Sequence, residues 1–135
     1  MFTKKLLFCL FVLASLSLTS CKKVEGEGGS STITGKVTAL DYNASGVYQN
    51  NTYDAADHDV FIIYGDGNTA YNDKVSTSYD GTFEFRYLEK GNYTIFVYEK
   101  CFGGSCVTNT TAILKKVTIS KNKESVNAGT IEVKD

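Results

Sequence analysis

Val75-Ser-Thr-Ser-Tyr-Asp80-Gly81-Thr-Phe83-Glu-Phe85-Arg-Tyr87-Leu88-Glu-Lys-Gly91-Asn-Tyr93-Thr-Ile95 is the stretch of this chain that decides its fold. From Thr82 to Leu88 apolar and polar residues alternate with the two-residue period of a strand. That places Phe83, Phe85 and Tyr87 inward and Thr82, Glu84 and Arg86 outward. Asp80-Gly81 tolerates the positive φ of a tight turn, and between two strand signals it predicts a hairpin. A second turn at Lys90-Gly91-Asn92 opens another strand, which puts Tyr93, Ile95 and Val97 on one face.

Outward from this stretch the same period recurs. Ile33 to Leu40 sets Ile33, Gly35, Val37 and Ala39 on one face and Thr34, Lys36 and Thr38 on the other. Val60 to Tyr64 is a continuous apolar run, consistent with a central strand. Lys74 to Ser78 is short and polar, as an edge strand is when lysine discourages unwanted pairing. Ile113 to Ile119 alternates with Lys116 and Thr118 outward, and Gly129 to Val133 turns Ile131 and Val133 inward. Seven short strands with Gly, Asn and Asp punctuation, rich in aromatic and β-branched residues, predict an all-β, seven-stranded antiparallel β-sandwich. The chain contains no proline.

The central stretch resembles the core of carboxypeptidase regulatory-like and Cna-B-like domains: a Thr-rich strand, Asp80-Gly81, Phe83-x-Phe85, then Leu88-x-x-Gly91-x-Tyr93. Gly35-Lys-Val37 and Asp59-Val-Phe-Ile62 fit the first two strands of that family. The resemblance spans residues 32–135 and implies a transthyretin-like sandwich. In that family the fold is usually a structural or binding module, so the resemblance implies no catalysis. The chain departs from the pattern at residues 41–57, a long polar stretch where the family has a short link. Loops of this length are often functional or disordered. Tyr42, Tyr48 and Tyr53, set among Asn and Ser, form a candidate binding loop of rigid rings and adaptable amides.

The chain begins with Lys4 and Lys5 followed by the apolar run Leu6–Leu18. A span of the bilayer takes about 20 residues, so this run suits a secretory signal better than a membrane helix. It ends in Leu18-Thr19-Ser20-Cys21, which resembles the lipobox of bacterial lipoproteins. The resemblance implies removal of residues 1–20, lipidation of Cys21, and an outer-membrane or cell-surface location. Several buried acyl chains hold a protein stably on a membrane, where one holds it only marginally. Residues 21–31 then read as the lipidated cysteine and a Gly/Ser-rich flexible tether, with the sandwich domain over 32–135.

Loss of the leader removes two of the fourteen basic residues and none of the fifteen acidic ones, so the net charge of −1 falls to −3. That argues against nucleic acid as a partner, which needs a clustered basic face. With Cys9 removed and Cys21 lipidated, Cys101 and Cys106 remain. An oxidising compartment allows them to form a disulfide; free thiols or two metal ligands are the alternatives. A closed zinc site needs four ligands, and His58 is the one other soft candidate, so no metal is expected.

Three further chemistries are weighed and set aside. An isopeptide bond between Lys36 and Asn127 needs a dry lysine, and alternation puts Lys36 on the polar face. Asp66-Gly67-Asn68 with Asn72-Asp73 offers hard oxygens for calcium but lacks EF-hand spacing. His58, between Asp57 and Asp59, has no nucleophile near it in sequence. The expectation is a membrane-anchored, non-catalytic module without cofactor. Its partners would be an envelope protein or a glycan. The alternative is an accessory or inhibitor-type protein of an envelope enzyme or transporter.

Overall fold

A computed structural model describes residues 24–67, 70–104 and 106–135. Cys21, with the leader and the start of the expected tether, lies outside the described residues, as does Asn68. Among the described residues the chain is all β, with no helix. Eight strands run in the order β1 (Glu27–Tyr42), β2 (Tyr48–Asp54), β3 (Asp59–Tyr64), β4 (Asp73–Ser76), β5 (Thr82–Leu88), β6 (Gly91–Lys100), β7 (Thr110–Ile119) and β8 (Ser125–Lys134).

They form two four-stranded sheets. The long β1 organises the first: β2 and β5 pair with it antiparallel, and β8 pairs with it in parallel. The second has the order β4-β3-β6-β7, antiparallel throughout. The parallel β1–β8 pair corrects the expectation of a wholly antiparallel sandwich. After β7 a short link at 120–124 carries the chain into the first sheet beside the start of β1, so β8 must run in the direction of β1.

The core lies between the sheets and is made by the residues whose alternation points inward. Ile33, Val37 and Ala39 of β1 meet Val60 and Ile62 of β3, Phe83 and Phe85 of β5, Tyr93, Ile95 and Val97 of β6, and Ile131 and Val133 of β8. Each fully buried aliphatic or aromatic side chain contributes about 1.5–3 kcal/mol. Gly35 faces this core directly opposite Phe83. A Cβ at Gly35 would overlap the Phe83 ring, so the glycine is the space into which that ring fits.

Four further expectations are corrected. Tyr87 points outward, and Leu88 is buried in its place. Tyr87 has φ of 60°, which breaks the pleat for one residue and moves the inward position from 87 to 88. The β1–β5 register is irregular at the same place.

Residues 41–57 are mostly a β-hairpin, which makes β2 the eighth strand. Asn43 builds its turn by accepting the backbone amides of Ser45 and Val47 with its side-chain oxygen, each at 3.0 Å. All of β2 is exposed, so no burial period marks it in the sequence.

Residues 27–31 belong to β1 and not to a free tether. Ser31 is buried, donates its hydroxyl to the Lys121 carbonyl and accepts the Glu124 amide. Gly26 is held by the core tyrosine Tyr93.

Asp80-Gly81 does form a tight turn, with the Gly81 amide bonded to the Ser78 carbonyl and the Ser78 amide to the Thr82 carbonyl. The strands beyond it diverge into different sheets, so it is a corner of the sandwich and not a hairpin within one sheet. Gly81 has φ of 77°, and a Cβ there would press on the Val37 carbonyl.

Candidate functional site

The end of the sandwich where β1, β6 and β8 finish gathers most of the residues singled out from the sequence. Cys101 and Cys106 are joined in a disulfide, with Cα atoms 6.1 Å apart. The loop it closes carries Phe102, which stacks on Tyr42 with ring centroids 5.6 Å apart and planes 20° apart. Tyr42 also meets Tyr48 at 5.5 Å. Two of the three candidate tyrosines therefore share one ring cluster with Phe102, and this braces the β1–β2 hairpin against the disulfide loop.

Tyr53 stands apart from that cluster. Its hydroxyl donates to the Asp135 carboxylate, which also pairs with Lys100 at 2.8 Å. Lys100 and Tyr53 hold the Asp135 carboxyl below its ordinary range. The same hydrogen bond is the main reason that the Tyr53 phenol is pushed up to about 12. These contacts tie the hairpin to Asp135, next to the end of β8.

The other polar residues singled out from the sequence make the following contacts. His58 Nε2 lies 3.1 Å from the Tyr98 carbonyl, and its backbone amide donates to Thr77 Oγ1. Lys36 pairs with Asp54 at 2.7 Å on the exposed face. Asp66 accepts the Asn92 side-chain amide, and Asn72 accepts the Tyr64 backbone amide. Among the described residues no group of three or more His, Cys, Asp or Glu side chains could hold a metal ion.

A surface that the sequence reading missed lies on the outer face of the second sheet. Register puts Lys74, Phe61, Phe96 and Leu114 in one row across all four strands. Phe61 and Phe96 stack 4.9 Å apart with planes 12° apart. Tyr71 and Tyr98 meet the Phe61 ring edge-on at 4.9 and 5.6 Å. The Lys74 ammonium lies 6.0 Å from the Phe61 ring centre; its bond to Asp59, 2.7 Å long, lowers the aspartate's pKa and raises its own. Around the phenylalanine stack, Tyr98 is 47%, Tyr71 53% and Leu114 63% exposed. The signal was present: Val60–Tyr64 and Tyr93–Tyr98 are apolar on both faces, more than one buried face requires.

A second unforeseen feature is a cleft of about 810 Å³ beside β5. Thr34 and Lys36 of β1, Thr82, Glu84 and Arg86 of β5, and Asn127 and Thr130 of β8 line it together with the β4–β5 corner. Arg86 pairs with Glu84 at 2.5 Å within it.

No protein-family model matches this chain, and no curated protein matches it. Among solved structures it is similar to the crystal structure of a proposed carbohydrate binding protein from Pseudomonas aeruginosa, with 16% identity and a TM-score of 0.44. The match covers 82% of this chain and 91% of that one.

Proposed function

We propose that this chain is a lipid-anchored, non-catalytic binding module of the bacterial envelope, and that it docks a partner protein on the outer face of its second sheet. The observation that carries the reading is the exposed set Tyr71, Tyr98 and Leu114 around the Phe61–Phe96 stack. Contiguous exposed apolar patches rimmed by polar residues mark interaction sites, and the centres of protein interfaces are enriched in aromatic residues. Lys74 and Lys116 border the rings from the two edge strands. Lys74 is already paired with Asp59, so the partner it suits presents apolar side chains with an acidic group placed to meet Lys116. Such a partner, if an enzyme or transporter, would make this chain an accessory protein.

Anchoring rests on Leu18-Thr19-Ser20-Cys21. Residues 22–25 separate Cys21 from Gly26, and at about 3.3–3.6 Å per residue the stem reaches roughly 17 Å at most. The Gly26 end of the sandwich then lies near the membrane and the Tyr42–Phe102 end far from it. The kinship with carboxypeptidase regulatory-like domains is supported by the two sheets, the Asp80-Gly81 corner and the buried Tyr93.

Two experiments test the reading. Labelling cells with a radioactive fatty acid should mark the wild-type protein and not Cys21→Ser; label on the serine variant would refute the anchor. A photo-crosslinking residue placed at position 98 in living cells should give one discrete protein adduct, lost on Leu114→Asp. The same probe at position 48 should not give it. Identical adducts from both positions, or none from position 98, would refute the docking face.

A further inference from the structure

We propose that the cleft beside β5 is a separate binding site for a neutral oligosaccharide. Its lining is mixed: the hydroxyls of Thr34, Thr82 and Thr130 and the amide of Asn127 stand beside apolar surface that includes Val75 and Phe83, as a sugar with polar edges and apolar faces requires. Its charges are already paired: Lys36 with Asp54 at 2.7 Å, and Arg86 with Glu84 at 2.5 Å. An anionic ligand would have to displace a carboxylate from its partner, and a cationic one would have to displace Lys36 or Arg86. A neutral polyhydroxyl chain can use the donors and acceptors as they stand.

Size and shape agree with a chain of sugars over a single one. The volume falls within the range of about 300–1,000 Å³ typical of ligand clefts. The lining part of β5 runs from Thr82 to Arg86, roughly 13 Å at the rise of a strand.

The second observation is a pair of exposed tyrosines adjacent in sequence to lining residues, Tyr79 before β5 and Tyr87 within it. Tyr79 sits beside the lining residue Ser78 and is 88% exposed; Tyr87 follows Arg86 and is 69% exposed. Tyrosine rings give sugars an apolar face with a hydroxyl at the edge. Tyr87 reaches solvent because its backbone takes a φ of 60°, a conformation rare for a bulky residue. Strain of this kind concentrates at ligand sites. Here it turns outward a ring that regular alternation would bury.

The test is a titration of the lipid-free domain, followed by amide NMR, with three neutral hexasaccharides: an α-linked glucan, a β-linked glucan and chitohexaose. A hexasaccharide of heparin serves as the anionic probe. At least one neutral probe should shift the amides of 82–87 and 127–130 while those of Phe96 and Leu114 stay in place. Tyr87→Asn keeps a residue that tolerates positive φ and removes the ring; with Tyr79→Ser it should weaken that binding at least tenfold, with the melting temperature not lowered. No shifts with any neutral probe would overturn the proposal, as would tighter binding of the heparin fragment. Shifts centred on Tyr71 and Tyr98 would place the sugar on the docking face and overturn this site as well. Absence of any photo-crosslinked partner from position 98 in the wild-type background would refute the docking face and leave the cleft standing.

Discussion

The hydroxyl of Tyr93 accepts the backbone amide of Gly26 at 3.1 Å across 67 residues of sequence. It also donates to the Glu89 carbonyl at 2.7 Å, so one buried phenol fastens both the β5–β6 corner and the start of the domain. Burial is the main reason that its pKa is raised. Tyr93→Phe keeps the ring and strands a donor and an acceptor, at a cost of about 1–3 kcal/mol. Urea denaturation should show that loss, and limited proteolysis should cut faster near Gly26. Unchanged values for both would mean that the hydroxyl holds neither segment.

Gly35→Ala should destabilise the domain by about 1–3 kcal/mol, because the added methyl meets the packed ring of Phe83. Phe83→Leu is also destabilising alone, but the pair should lose less than the sum of the two. A double-mutant cycle by thermal denaturation measures that coupling. Strict additivity would show that the ring does not occupy the space above the glycine.

The disulfide closes a loop of sequence separation 5, for which chain entropy predicts about 2 kcal/mol. Removing it by Cys101→Ser with Cys106→Ser should lower stability by that order. The near-ultraviolet circular dichroism of the Tyr42–Phe102 pair should weaken as well. Loss of stability without that spectral change would separate the disulfide from the hairpin brace.

Tyr87→Asn should raise stability by several tenths of a kcal/mol to about 1, since asparagine adopts positive φ more readily. Tyr87→Val should lower it by more than 1 kcal/mol, because a β-branched residue suits that conformation worst. Equal effects from both, read by chemical denaturation, would argue against a backbone origin.

Asp80 accepts hydrogen bonds from the Thr82 hydroxyl and amide and from Ser78, which hold its carboxyl at about 2. The unfolded value is about 3.9. A pKa lowered by folding contributes stability that is complete above the unfolded value and is lost as pH falls toward the folded one. Stability should therefore decline between about pH 4 and pH 2, and Asp80→Asn should flatten part of that decline. An Asp80 carboxyl that titrates by NMR near 3.9 in the folded protein would contradict this.

How much was legible can be judged residue by residue. Alternation points Phe83, Phe85, Ile131 and Val133 inward and sets Ile33, Val37 and Ile95 on one face of their strands, and all seven are buried, because a two-residue period is local and each strand carries its own record of the core. Lys74 marked an edge strand for a similar reason. Leu18-Thr19-Ser20-Cys21, whose resemblance implies an address rather than a fold signal, lies outside the described residues.

By itself the sequence determined the strands that have one buried face, the turns at Asp80-Gly81 and Gly91, and the pair of cysteines able to bridge. Tertiary structure alone decided the rest. Asn43 and the polar β2 pair with an overhang of β1, which leaves no burial pattern to read. Ser31 joins the fold because the 121–124 turn arrives beside it. Phe61, the buried Phe96 and Leu114 form one row, with Tyr71 and Tyr98 exposed around it, only when β3, β6 and β7 lie side by side. The cleft exists only because β1, β5 and β8 place their polar faces together. Periodicity reports which face of a strand is buried; it carries no information on which strands become neighbours, and both candidate sites are made of neighbours.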